Sequence, residues 1–215
     1  VPDIIVSDVM MPRMNGYKLC KTIKENINIS HIPVILLTAR DDRQSQISGY
    51  KNGADGYLSK PFEVEMLMEL IRNRLKNREY TKKRYLNAGL IPTPEESTIS
   101  LTDETFLIKL NSIIQENIEN SNLGIQFICQ EVGLGRSSLY NKLKALTGMG
   151  ANEYISKLRI EKAITLISGT DMPFSEIAEK TGFTTPSYFS TAFKQYTGET
   201  PSQYKERKKK GLAGK

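Results

Sequence analysis

Tryptophan is absent from this 215-residue chain, histidine occurs once and cysteine twice. The lone His31 all but excludes a His-based catalytic triad and a zinc site of the usual kind. Cys20 and Cys129 lie far apart with no CxxC, so both are expected as small buried hydrophobes rather than a disulfide or a metal site. No apolar run approaches the roughly 18–20 residues of a membrane span. No basic stretch precedes an apolar core at the N-terminus, as a secretory leader would require. The expectation is a soluble, cytoplasmic protein of one or two domains with no membrane contact in this stretch.

Charge of one sign is missing locally. Residues 85–133 hold one Lys against seven Asp or Glu, whereas residues 134–215 hold 14 Lys or Arg against seven acids. Residues 1–84 hold 15 basic against 10 acidic side chains, with seven basic ones between Arg72 and Arg84. A basic C-terminal third suits a polyanion partner; a solvated charged surface is the plainer alternative.

The first 84 residues alternate short apolar runs with amphipathic stretches. Ile4–Val6 forms a buried strand ending in Ser7-Asp8, and Asn15-Gly16 turns into a helix with Tyr17, Leu19, Cys20 and Ile23 inside. PVILLTA is a second strand ending in Thr38-Ala39. A helix over Gln44–Asn52 follows, stopped by Gly53, and Gly56–Ser59 is a third strand running into Lys60-Pro61. A last helix over Glu63–Lys76 carries Met66, Leu67, Leu70, Ile71 and Leu75 as its stripe. This β-α-β-α-β-α rhythm argues a parallel sheet with right-handed crossovers. Parallel strand ends lie side by side, so Asp8, Thr38 and Lys60 converge at one sheet edge. A carboxylate beside a fixed ammonium and a hydroxyl can hold a phosphoryl group; an ordinary strand-end ion pair is the competing reading.

DIIVSDVMMPRMNG, PVILLTAR and GADGYLSKPF resemble the second half of a two-component receiver domain. The resemblance implies Asp8 as the phosphoacceptor, and Met10 as the residue whose backbone carbonyl joins the magnesium shell beside Asp8. It implies Thr38 as the switch hydroxyl, Tyr57 as the switch aromatic, Lys60 as the phosphate-binding lysine, and a cis Lys60-Pro61 bond. The family's first strand with its acidic pair, first helix and second strand have no counterpart here. An incomplete flavodoxin-like α/β fold is therefore expected, with an unpaired apolar edge at Ile4–Val6 open to strand swapping or homodimerisation. Mg2+ belongs to the intact receiver, and this fragment is expected to bind it poorly and to be phosphorylated inefficiently.

Residues 85–102, with two Pro and many Ser and Thr, form a linker. Asp103 and Glu104 open a helix striped by Phe106, Leu107, Leu110, Ile113, Ile114 and Ile118. Beyond it the sequence repeats. Leu139, Lys144, Thr147, Gly148 and Tyr154 recur 50 residues later as Phe189, Lys194, Thr197, Gly198 and Tyr204. Ile128, Gly133 and Leu134 recur 49 later as Ile177, Gly182 and Phe183. A duplicated helix-turn-helix is the economical explanation. In the second copy Thr185-Pro186 and Thr200-Pro201 each read as N-cap plus first helical position, and Gly182 and Gly198 as helix stops. Tyr188, Phe189, Ala192, Phe193 and Tyr196 make the inner face, leaving Ser187, Ser190, Thr191 and Lys194 outside. A helix over 152–168, about 25 Å long at 1.5 Å per residue, would hold the two reading helices near one DNA turn apart, about 34 Å.

RIEKAITLI, SEIAEKTGF and SYFSTAFKQYTGETPSQYK resemble the DNA-binding domain of AraC-type transcription activators, over roughly 110 residues. The resemblance places this all-α double helix-turn-helix domain at 103–210, with a tail at 211–215, and the terminal KERKKKGLAGK reads as a frayed basic end adding non-specific phosphate attraction. A receiver fused ahead of it is similar to the cytoplasmic end of hybrid two-component sensors. It implies double-stranded DNA as partner and a histidine kinase as phosphodonor, in the same polypeptide or a separate one. Ser137, Tyr140 and Asn141 would face bases in the first unit, with Arg136, Ser138 and Lys144 near phosphates. Thr185, Ser187 and Thr191 take the base-facing places in the second, with Tyr188 and Lys194 nearer the backbone. Few of these are Arg, the commonest specific reader, so shape readout carries weight. Leu139, Leu143, Phe189 and Phe193 read as core. No enzyme activity is expected. Two other functions stay open: a haloacid-dehalogenase-type phosphohydrolase, which needs a second acid where Met10 stands, and an RNA-binding or architectural double helix-turn-helix.

Overall fold

A computed structural model describes residues 2–39, 53–87 and 100–213. Three parallel strands, β1 (Ile5–Asp8), β2 (Val34–Thr38) and β3 (Gly56–Ser59), lie in the order β1-β2-β3. Ile5 sits opposite Val34, and Leu36 opposite Tyr57. The middle strand is the most apolar, and its Val34, Ile35 and Leu36 are fully buried, as a strand covered on both faces must be. β1 lies at the sheet edge with Val6 39% exposed, the unpaired apolar edge that the sequence predicts.

Helix α1 (Gly16–Glu25) starts where Asn15 caps it, its side-chain oxygen accepting from the Lys18 N–H at 2.8 Å. Cys20 and Ile23 pack with Val9, Val34, Leu36 and Ala54. Cys20 is wholly buried and Cys129 nearly so, and neither is in a disulfide; burial pushes the Cys20 thiol up to about 11. The helix expected over Gln44–Asn52 lies outside the described residues.

Helix α2 (Val64–Asn87) is much longer than the stretch to Lys76 that its apolar stripe predicts. No Gly or Pro interrupts it, and Glu69–Arg72 and Glu79–Lys82 pair one turn apart. Met66 is 61% exposed and not part of the stripe. Leu67, Leu70, Ile71 and Leu75 are half-buried, and Arg74 and Arg78 continue their side of the helix once apolar residues run out.

The remaining helices are α3 (Leu101–Glu116), α4 (Ile125–Val132), α5 (Arg136–Thr147), α6 (Ala151–Gly169), α7 (Phe174–Lys180), α8 (Pro186–Thr197) and α9 (Pro201–Ala213). The α3 stripe holds: Phe106, Leu107, Leu110, Ile113, Ile114 and Ile118 are all buried. Contacts divide the described residues into two compact units, 1–108 with 137–148, and 109–136 with 149–215. The first therefore includes α5 beside the sheet. In the second, Ile160, Ala163 and Ile167 of α6 pack with Ile177 and Ala178 of α7 and with Phe189 and Phe193 of α8. Phe183, Phe189, Phe193 and Tyr204 form an aromatic chain with centroids 5.4–5.7 Å apart. Among the described residues no helix is long and apolar enough to cross a membrane.

Candidate nucleic-acid interface and receiver pocket

Asp8 ends β1, Thr38 ends β2 and Lys60 follows β3, so the parallel register alone brings these three chain positions to one edge. The Lys60 ammonium donates to Asp8 Oδ2, and the Met10 N–H donates to Oδ1 at 3.1 Å. The Lys60 hydrogen bond first, and the Met10 amide next, hold the Asp8 carboxyl below the usual carboxylate range. Asp8 and Lys60 remain 34% and 40% exposed in their side chains, so this is an open, charged pocket. Thr38 is buried, Tyr57 is half-buried beside the small core, and Met10 is 74% exposed. The Lys60-Pro61 bond is cis.

The donor set for a metal is thin. Mg2+ demands near-octahedral oxygen coordination, and no group of three metal-ligating side chains occurs among the described residues. Asp8 and the Met10 carbonyl alone do not make a magnesium site.

The helix-turn-helix units match in their turns, down to single hydrogen bonds. Gly133 and Gly182 end α4 and α7, each at φ +71°. Leu134 N–H donates to the Cys129 carbonyl and Gly133 N–H to that of Gln130. In the second unit Phe183 donates to Ala178 and Gly182 to Glu179. All four pairs are offset by 49 residues, and each is the closure of a helix by a left-handed glycine followed by a buried hydrophobe. Gly148 and Gly198 end α5 and α8 in the same left-handed region, 50 residues apart. Thr147 and Thr197 each donate a hydroxyl to the carbonyl four residues earlier.

Caps set where the reading helices begin. The Thr185 hydroxyl accepts from Tyr188 N–H at 3.1 Å ahead of Pro186, and Thr200 exchanges hydrogen bonds with Gln203 ahead of Pro201. Leu139 and Leu143 of α5, like Phe189 and Phe193 of α8, are at most 1% exposed. Packing fixes these inner residues and so decides which side chains face outward. Arg136, Ser137, Tyr140, Asn141 and Lys144 are exposed and Ser138 is half-exposed; Thr185, Ser187, Tyr188, Thr191 and Lys194 are all exposed. The side chains of Ser137, Asn141, Lys144, Ser187 and Lys194 have no hydrogen bond or ion pair among the described residues. Among the described residues Arg136 donates only to the side-chain amide oxygen of Gln126, at 3.4 Å, and the Thr191 hydroxyl bonds back to the Ser187 carbonyl.

The inner face of α8 is narrower than its spacing predicts. Tyr188 is 53% and Tyr196 37% exposed, leaving Phe189, Ala192 and Phe193 as the buried line. Each Tyr lies at the flank of that line. Tyr188 sets its edge on Phe183, 5.7 Å away, and Tyr196 donates to the Glu153 carbonyl. Burial pushes the Tyr196 phenol up to about 12.

Two structural charges escape the sequence reading. Lys142, in the middle of α5, is fully buried: its ammonium donates to Asp103 and to the Ser30 hydroxyl at 2.7 Å, and Ser30 donates to the same Asp103 oxygen at 2.7 Å. The Phe106 ring lies 5.1 Å away. Its signal was present, because Lys142 falls three after Leu139 and four before Leu146, on the inner line. Arg159 donates to the Asn120 carbonyl at 2.6 Å and lies over Phe183. A Cβ at Gly182 would meet the Ile118 carbonyl oxygen at 2.3 Å and Arg159 at 2.8 Å, so the second turn is held closely against this brace.

A response regulator receiver domain matches residues 1–72, and a helix-turn-helix domain matches residues 128–207. "Histidine kinase P4" of Formosa agariphila is 42% identical over 207 residues, which are 96% of this chain and 15% of that protein. This chain thus spans a small part of that relative's length. "Probable transcriptional regulator ycf29" of Pyropia yezoensis is 30% identical over 162 residues, covering 70% of this chain and 73% of that one. The C-terminal domain of AraT, a response regulator from Geobacillus stearothermophilus, is 31% identical over 47% of this chain and 84% of that one, with a TM-score of 0.45. On these matches the chain belongs to the response-regulator family, as a receiver-type segment followed by an AraC-type helix-turn-helix domain.

Proposed function

We propose that this chain is the output end of a phosphorelay: a sequence-specific, double-stranded-DNA-binding transcription regulator. The observation that carries it is the twofold recurrence of one turn geometry ahead of two helices with outward polar and basic faces. Ser137, Tyr140 and Asn141 read bases from the first unit, and Thr185, Ser187 and Thr191 from the second. Arg136, Ser138, Lys144, Tyr188 and Lys194 meet phosphates. Small hydroxyls discriminate weakly, whereas Asn141 can bind adenine in a bidentate manner, so it is the strongest direct reader. Helix α6 of the second unit is 19 residues and about 28 Å long. The protein acts in the cytoplasm and has no catalytic turnover of its own.

In the parent protein, Asp8 accepts the phosphoryl group from a histidine kinase. Lys60 offsets the added charge and Thr38 supplies a hydroxyl donor. The remaining oxygen donors for Mg2+ come from outside the residues described. The β1 edge adds a strand there, or pairs with a second copy.

The test is selection of bound duplexes from a random pool, followed by titration at several salt concentrations. A recovered motif whose affinity falls steeply with salt supports the reading. Equal affinity for every duplex removes the specific reader, and preference for RNA favours the architectural alternative. Turnover of a phosphomonoester would restore the hydrolase reading, which Met10 at the general-acid position disfavours.

A further inference from the structure

Within the unit that holds the sheet and α5 lies a cavity of about 80 Å³, walled by Lys24, His31, Asp55, Arg74, Arg78 and Asp103 among others. Its two carboxylates are already matched. Asp55 pairs with Lys24 at 2.8 Å, and Asp103 pairs with the buried Lys142. The two guanidiniums are less well met. Arg74 has no hydrogen bond or ion pair among the described residues, and Arg78 uses only Nη1, donating to the Asp3 backbone carbonyl at 3.2 Å and pairing with the exposed Asp3 carboxylate at 3.8 Å. Among the described residues the buried Nε atoms of both arginines have no hydrogen-bond partner, nor has Nδ1 of His31, a residue only 8% exposed. An orphaned buried polar atom is unfavourable while unmet, and three of them belong to residues that line one cavity.

Arginine forks match oxyanions of carboxylate or phosphate geometry. Burial, then the nearby Lys142 cation, push His31 down to about 4, so it stays neutral and can offer Nδ1–H without adding charge. A drug-sized pocket is roughly 300–1,000 Å³; this one has room for a compact ion and none for a nucleotide. We propose that this cavity binds a small tetrahedral oxyanion of the phosphate class, held by Arg74 and Arg78 with His31 as a neutral donor. Lys24 of α1, His31 before β2 and the two arginines of α2 form part of the wall. Asp103 of α3 and Ala145 and Leu146 of α5 form another part. A bound ion would therefore tighten the hold of this unit on its reading helix, and anion level would become an input separate from Asp8.

The test is calorimetric titration of the full chain with inorganic phosphate, with sodium chloride at matched ionic strength as the blank. Arg74→Gln removes no hydrogen bond or ion pair among the described residues and should fold, which far-UV circular dichroism checks. Lys60→Ala controls for phosphate held at Asp8 and Lys60. We expect saturable binding in the parent chain and in Lys60→Ala, at least tenfold weaker binding in Arg74→Gln, and partial recovery in Arg74→Lys. The unfolding midpoint should rise with phosphate in the parent chain only where Arg74 is intact. Unsaturable heats, unchanged affinity in Arg74→Gln, or loss in Lys60→Ala would each overturn the site. Glycerol phosphate in place of inorganic phosphate separates a phosphomonoester ligand from the free ion.

Discussion

Replacing Lys142 by Met tests whether α5 is seated by its ion pair or by its leucines. Lys142 is wholly buried, and its partner Asp103 is 3% exposed in its side chain. Breaking such a pair from one side leaves a charge without solvent or counter-ion and typically costs 3–5 kcal/mol. One hydrogen bond to Asp103 survives, from the Ser30 hydroxyl, so Lys142→Met should cost about 3 kcal/mol. Asp103→Leu combined with Lys142→Met removes both charges beside the Phe106 ring, and should recover most of the loss. Urea unfolding of the four species closes a double-mutant cycle. A cost below about 1 kcal/mol for Lys142→Met, or strict additivity of the two changes, would show that the pair does not seat α5.

Three further outcomes follow from other parts of the molecule. Gly133→Ala and Gly182→Ala start from the same φ of +71°, but only the second puts a Cβ against backbone, at 2.3 Å; the first should cost about 1–2 kcal/mol and the second clearly more, and equal melting shifts would refute the close packing of the second turn. His31 is neutral in the fold down to about pH 4 against 6.5 in the unfolded chain. The unfolded state therefore binds the extra proton, and stability should fall by roughly 2 kcal/mol from pH 7 to 5; His31→Gln should flatten that slope, and parallel profiles would refute it. Lys144→Ala should weaken DNA binding for all sequences alike and lower the salt slope by about one, whereas Asn141→Ala should relax base preference at one position by about 1–3 kcal/mol; competition binding on single-base variants reads both.

Much of this was legible because it is written locally. Strand ends at Asp8, Thr38 and Lys60 follow from short apolar runs and parallel crossovers. The caps at Thr185 and Thr200 and the glycines at 182 and 198 announce themselves within four residues. Where meaning depends on a distant partner, local reading falls short. Lys142 reads as surface until Asp103 and Ser30 are brought to it. Tyr188 and Tyr196 share the spacing of a buried face, yet their size and hydroxyls put them at its margin. Met66 fits a stripe drawn by residue type but not the side of α2 that meets the protein. The outward faces of α5 and α8 were readable, since leucines and phenylalanines at fixed spacing leave the rest no other direction.

The duplicated turns share hydrogen bonds but not surroundings. Among the described residues nothing lies within 4 Å of a side chain added at Gly133, while Gly182 is wedged between the Ile118 carbonyl and Arg159. Copying a motif without copying its scaffold splits the labour between the descendants. The hemmed-in turn therefore accepts fewer replacements than its counterpart, and sequence change is most readily admitted at the first turn.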